Sequence, residues 1–307
     1  FQLLYVPRAM ANQHRNFLRS SVIFVAVFVA YECCFGTTFT GTHTRSTPPG
    51  GARNCVALKG SAVGVSEMFE DFTKFLKMKQ EVIIGELESI ENEEHRFTHD
   101  PWGCFLEEKN KSGGLTRVLQ GGTVIEKGAC SFTVIRGGLL SAERAKSISA
   151  RQGGDLLVQA GDAYAAAALS IVLHTRSPKI PTFRSDVRIF WVQSANGQEQ
   201  AWLGGGADLT PYYLDKDDIG FFHQTYKTLC SQRLQDHPSF TYASMKEACD
   251  AYFYLPARQE HRGTGGIFFD DLPVDEDSLN FVKQVVTSWM PSWKPIVTKH
   301  VNEEYTE

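Results

Sequence analysis

Apolar residues at Phe69, Phe72, Leu76, Val82, Ile83, Leu87 and Ile90 keep near-helical spacing and predict a long amphipathic helix over 67–93. Ser66 is its expected N-cap, with Glu67 and Glu70 in a first turn whose dipole favours acids. Residues 115–125 and 130–137 read as strands, and Asp155 to Leu173, centred on the run Ala165 to Leu169, reads as a nearly buried helix. The strongest local signal is a hairpin. Asp186-Val-Arg-Ile-Phe-Trp-Val192 and Gln198-Glu-Gln-Ala-Trp-Leu203 flank a turn containing Asn196-Gly197. Three further helices are expected at about 216–235, 241–253 and 275–289. Helices alternating irregularly with an antiparallel hairpin argue for a single α+β domain over 66–307 rather than a doubly wound sheet.

The hairpin makes a geometric prediction. With Asn196 and Gly197 as the two turn residues, Arg188 falls opposite Gly205 and Ser185 opposite Asp208. Arg188 and Asp208 then lie near one another but on opposite faces, because successive side chains alternate. A one-residue bulge in Gly204-Gly-Gly206 would bring them onto one face. An arginine and an aspartate so placed read first as a salt bridge.

Charge divides the chain where the periodicity begins. Residues 1–66 hold six bases and one acid, whereas 67–307 hold 25 bases and 34 acids. An acidic body argues against a nucleic-acid surface. Phe1 means either that the chain is a fragment or that Met10 is the true start. After Met10, the basic residues His14, Arg15 and Arg19 precede the apolar run Ser20 to Tyr31, which is too short for a comfortable membrane span and suits a secretory signal. Residues 33–66 contain no acid and are rich in Thr, Ser and Gly, the composition of a transit peptide. A targeting leader over 1–65 is therefore expected, of the two-part kind that delivers proteins to plastids within an endomembrane system. The alternatives are an uncleaved signal anchor at the endomembrane, or a mitochondrial address. No stable membrane span is expected in the mature form.

With 42% hydrophobic and 21% charged residues, the 307-residue chain is neither disordered, collagen-like nor a polytopic membrane protein. Its seven cysteines (Cys33, Cys34, Cys55, Cys104, Cys130, Cys230, Cys249) form no C-x-x-C pair, so neither a zinc ribbon nor a disulfide framework is supported. G-x-x-x-x-G-K-[ST], G-x-S-x-G and H-E-x-x-H are all missing. His95 and His99 stand at i,i+4, a spacing that would put two ligands on one helix face, but no third ligand lies nearby and no metal is expected. His174 and His223, each in an apolar context, read individually as structural histidines. Arg258 and Arg262, ahead of the glycine-rich run Gly263-Thr-Gly265-Gly266, suit recognition of substrate carboxylates.

Two long segments carry a resemblance: Trp202-Leu-Gly-Gly-Gly-Ala-Asp-Leu-Thr-Pro-Tyr212 and Tyr252-Phe-Tyr-Leu-Pro-Ala-Arg-Gln-Glu-His-Arg-Gly-Thr-Gly-Gly-Ile-Phe-Phe-Asp-Asp271. Upstream, Phe97-x-x-Asp100-x-Trp102, Arg117-Val-Leu-Gln120, Glu126-Lys127 and His174-x-Arg176-x-Pro178-x-x-Pro181-Thr182 follow in the same order and spacing. From about Ser66 onward the chain resembles oxygen-dependent coproporphyrinogen III oxidases. The resemblance implies a large antiparallel sheet covered by helices on both faces, a homodimer, and oxidative decarboxylation of two propionates of coproporphyrinogen III to vinyl groups. Molecular oxygen is the implied oxidant, with no organic cofactor. It places Arg188 on a substrate-contacting arginine, Asp208 on the acid facing the pyrrole nitrogens, and Ser170 and Asp186 on further substrate contacts, Asp186 where the family usually has Asn. The same likeness marks departures. Arg184 and Ala257 replace two of four family histidines, the first of them the proton donor, leaving His174 and His223. Cys104, Ala248 and Thr264 replace an arginine, a tryptophan and an aliphatic residue. The family also continues for several dozen residues beyond the position of Glu307, so a missing C-terminal part is expected. A catalytically inactive paralogue that binds a tetrapyrrole or an active partner subunit is the alternative.

Overall fold

Seven strands hydrogen-bond in an antiparallel sheet whose order follows the chain, with one addition at the end. The computed structural model describes residues 64–103, 112–151, 158–234 and 236–305. The sheet runs from β1 (Asp100–Gly103) through β2 (Gly113–Gln120), β3 (Ile125–Leu139), β4 (Ala163–Thr175), β5 (Thr182–Gln193) and β6 (Glu199–Thr210) to β9 (Gly265–Pro273). A separate two-stranded pair, β7 (Tyr254–Leu255) and β8 (Glu260–His261), precedes β9. The helices are α1 (Val65–Glu88), α2 (Ala142–Arg151), α3 (Lys216–Arg233), α4 (Tyr242–Tyr252), α5 (Glu276–Thr287) and α6 (Trp289–His300). Residues 1–63 of the expected leader and Cys104 lie outside the described residues. Among the described residues no helix is long and apolar enough to cross a membrane.

One side of the sheet carries the main core. Leu169, Ile171 and Leu173 of β4, Phe183, Val187 and Ile189 of β5, and Leu203, Ala207 and Leu209 of β6 are all buried against α1, α3, α5 and α6. The strict odd numbering is the period-2 signature of one sheet face. On the other side, α2 covers one end through Ala145 and Ile148, which pack with Tyr164, Ala166, Phe190, Val192 and Trp202. α4 packs along β9.

Four sequence expectations are corrected. The stretch expected as a helix over 155–173 is the strand β4 from Ala163 onward, sandwiched between β3 and β5. Ala165 to Ala168 are buried on both faces, so the alternation that marks a strand is erased. Helix α1 begins at Val65 with Gly64 as N-cap, and Ser66 instead donates its backbone N–H to Glu199 at 3.1 Å. It ends at Glu88 rather than 93. Glu88 accepts from the Phe97 N–H at 2.9 Å, and Glu91 accepts from the backbone N–H groups of Thr123 and Ile125 at 2.5 and 2.7 Å. The chain leaves the helix where its acids cap a turn of the sheet. His95 and His99 consequently share no helix face, and His95 bonds Asn92.

The fourth correction moves the hairpin by one residue. Its loop has three residues, Ala195 to Gly197: the Ser194 N–H donates to Gln198 O at 2.9 Å and the Gly197 N–H to Ser194 O at 2.8 Å. Gly197 takes φ +82°, and the Asn196 side chain accepts from the Gln198 N–H. Arg188 thus pairs with Gly204, and Arg184, not Ser185, pairs with Asp208. Every even position of β5 now shares a face with every even position of β6.

The last described helix is fastened by charge. His300, buried at the end of α6, presents Nε2 to Asp218 of α3 at 2.6 Å and Nδ1 to Glu303 at 3.0 Å, and Lys299 meets Asp215 and Asp218 at 2.7 and 2.9 Å. Burial opposes the imidazolium, but the two carboxylates outweigh it and hold the His300 pKa above its ordinary value. A folded pKa raised above the unfolded one contributes stability that is complete below about pH 6.5 and is lost as pH rises through the folded value. Thermal melts from pH 6 to 9 should therefore show a decline in stability toward alkaline pH that His300→Gln flattens. An unchanged pH profile in the variant would count against a charged His300.

Candidate functional site

Reading across the sheet on the face away from the main core, the register writes out rows of facing side chains. One row runs Thr116, Ser131, Ser170, Asp186, Gly206, Phe268. A second runs Ala129, Val172, Arg184, Asp208, Gly266, and a third Thr133, Ala168, Arg188, Gly204. Lys127 and His174 pair directly one step beyond the second row. Facing positions in antiparallel strands hold their Cβ atoms about 5 Å apart, so the rows form one polar face.

The glycines clear its floor. A Cβ on Gly204 would stand 2.7 Å from Asp270 Oδ1 and 2.8 Å from Arg188 Nε, so a side chain there would displace that pair. The register slips by one residue between Leu203 and Gly205 on the β9 side, with Asp271 at φ +58°. The bulge expected in the glycine run of the hairpin does not occur: β5 and β6 pair without a register shift, the shorter turn alone puts Arg188 and Asp208 on one face, and the bulge lies instead in β9, where it aims Asp270 at Arg188.

Arg188 and Asp208 are not each other's partners. Arg188, buried, reaches Asp186 Oδ2 at 2.6 Å and Asp270 Oδ1 at 3.3 Å. Asp208, only 3% exposed, receives both oxygens' hydrogen bonds from Arg262 Nη2 at 3.0 and 2.9 Å. The Arg262 guanidinium in turn lies 3.7 Å from the centre of the Phe253 ring, and Tyr252 stacks on Phe268 at 4.5 Å. Burial lifts the Asp208 carboxyl above its ordinary value against the pull of Arg262 and Arg184. Burial likewise lifts Asp186 against the pull of Arg188. His174 is desolvated by the walls of the face even though its ring reaches solvent, and Arg184, Lys127 and Arg262 further lower its pKa. Its ring is neutral at pH 7.

Ser170, Asp186, Arg188, Asp208 and Arg262, expected from the sequence as substrate contacts, therefore share this face with His174 and with Arg184, expected only as a lost histidine position. Two expected residues stand apart. Arg258 lies exposed between β7 and β8 and pairs with Glu260 at 2.8 Å, beside Ala257. His223 rises from α3 and bonds the Tyr242 hydroxyl at 2.7 Å. Among the described residues neither His174 nor His223 joins a cluster of three potential metal ligands. Asp270 escaped sequence reasoning because only a bulge turns it toward Arg188. The described thiols lie elsewhere: burial pushes Cys130, Cys230 and Cys249 up to about 12, so they stay protonated.

A family model for coproporphyrinogen III oxidase matches residues 71–307. The oxygen-dependent coproporphyrinogen-III oxidase of Drosophila melanogaster is 40% identical over 225 residues, which cover 71% of this chain and 54% of that protein. The human mitochondrial enzyme of the same name is 40% identical over 213 residues, covering 68% and 45%. The Francisella philomiragia enzyme is 35% identical over 247 residues, covering 79% and 76%. The chain spans about half the length of the animal relatives it matches. With the fold, the motifs and these matches in agreement, the chain belongs to the coproporphyrinogen III oxidase family.

Proposed function

We propose that the polar face binds coproporphyrinogen III and that the chain oxidatively decarboxylates two of its propionates to give protoporphyrinogen IX, with dioxygen as oxidant and no organic cofactor. For each vinyl group, the propionate carbon next to the pyrrole loses a proton, the carboxylate leaves as CO2, and the two electrons released reduce dioxygen, which with that proton and one from solvent becomes hydrogen peroxide. The observation that carries the reading is Asp208. A buried carboxylate, anchored by Arg262 beside a flat aromatic stack, can accept pyrrole N–H hydrogen bonds. There it favours the electron-rich, deprotonated ring that gives electrons to oxygen. A face with three arginines matches a substrate with four carboxylates.

A second reading has its own support. Arg184 stands where the family resemblance expects a proton-donating histidine, and guanidinium does not release a proton at neutral pH. On that reading the chain binds a tetrapyrrole, or an active partner subunit, without turnover. Aerobic incubation of the purified chain with coproporphyrinogen III, following vinyl product, separates the two. Turnover is the expected result, and tight binding without product would overturn it. The active form is proposed to be a homodimer, and the two-part pattern of residues 1–65 supports delivery to a plastid rather than the mitochondrion named for the human relative.

A further inference from the structure

The three arginines on the polar face are not equally available. Arg188 is held by Asp186 and Asp270, and Arg262 is held by Asp208. Arg184, half-buried and directly opposite Asp208, makes no hydrogen bond and no ion pair within 4 Å among the described residues. Asp208 attracts it through space, but both Asp208 oxygens are bonded to Arg262, so the N–H donors of a partly desolvated guanidinium are left for a ligand anion. Beside it stand one further cation and one imidazole. His174 lies diagonally from Arg184 across β4 and β5, and Lys127 faces His174 across β3 and β4. Lys127 is exposed and likewise has no described partner.

We infer that Arg184, with Lys127 and His174 beside it, forms the subsite that takes a propionate carboxylate of the macrocycle, the role that the family resemblance would give to Arg188. This rests on the tetrapyrrole reading and deepens it. A carboxylate there would receive a bidentate pair from Arg184, a charge from Lys127 and a hydrogen bond from the imidazole N–H. Bound at that point, it would hold the ring system over Asp208, one strand away. The Asp186–Arg188–Asp270 triad, its guanidinium already taken by two carboxylates, would then serve as the floor.

The test compares binding of coproporphyrin III, a stable tetracarboxylate, with that of its neutral tetraamide by fluorescence titration. Wild type, Arg184→Gln and Arg184→Lys are used. Arg184→Gln should weaken coproporphyrin III binding about 10- to 100-fold, leave tetraamide binding unchanged without lowering the melting temperature, and lose most of the salt dependence. Arg184→Lys should restore part of the affinity. Unchanged coproporphyrin III affinity in Arg184→Gln, or equal losses for acid and amide, would overturn the subsite while leaving the tetrapyrrole reading standing. A wild-type chain that binds neither porphyrin would instead bring down that reading, and the subsite with it.

Discussion

Replacing Asp208 by alanine is expected to lower vinyl formation by at least about 10²-fold while leaving a folded protein. The carboxylate draws its partner from outside the sheet, Arg262, which follows β8 in the turn that leads into β9. Its removal deletes the acceptor for the pyrrole N–H groups and frees Arg262 to turn toward substrate carboxylates. Fold integrity follows from the position, because the side chain points away from the main core and the backbone pairing of β6 does not need it. Asp208→Asn keeps the shape and one acceptor oxygen but not the charge, so it should fall between wild type and alanine. Rates close to wild type in Asp208→Ala, with normal far-UV dichroism, would remove Asp208 from the mechanism.

The largest expected effect on stability comes from its neighbour in alternation. Phe183 is fully buried on the opposite face of β5 from Arg184. It packs against Phe222, Trp289 and Trp293, with ring centres 6.3 to 6.5 Å apart. Trp293 is fixed in turn by its Nε1–H bond to Pro181 O at 2.9 Å. Phe183→Ala leaves a cavity between the sheet and two helices that the strand cannot collapse to fill, because β4 and β6 hold it on both sides. The expected cost is about 3–5 kcal/mol, or roughly 6–20 °C in melting temperature for a domain of this size. Phe183→Leu should recover more than half. A calorimetric shift under about 2 °C for the alanine variant would mean that the site-bearing strand does not depend on this packing.

Much of the architecture was legible before any coordinates. α3, α4 and α5 fall within two residues of their expected limits, because their apolar spacing and their caps agree. Asp215 caps α3, and Thr241 and Asp275 open capping boxes for α4 and α5. β4 was illegible for a physical reason: alanine favours helix intrinsically, and only the strands on either side make Ala165 to Ala168 extended. The residues that meet on the polar face were nameable from the sequence, Asp208 and Arg262 within long motifs and Ser170, Asp186 and Arg188 through the resemblance, but their partners were not.

By itself the sequence determined the family, the α+β class and which residues can do chemistry, since these follow from residue types at fixed local spacing. The tertiary structure alone decided who faces whom. One residue in a hairpin loop moved Arg184 opposite Asp208, and one bulge in β9 turned Asp270 onto Arg188. Side chains alternate with period 2, so a single-residue slip exchanges the two faces of a strand, and only long-range pairing across the sheet fixes that choice.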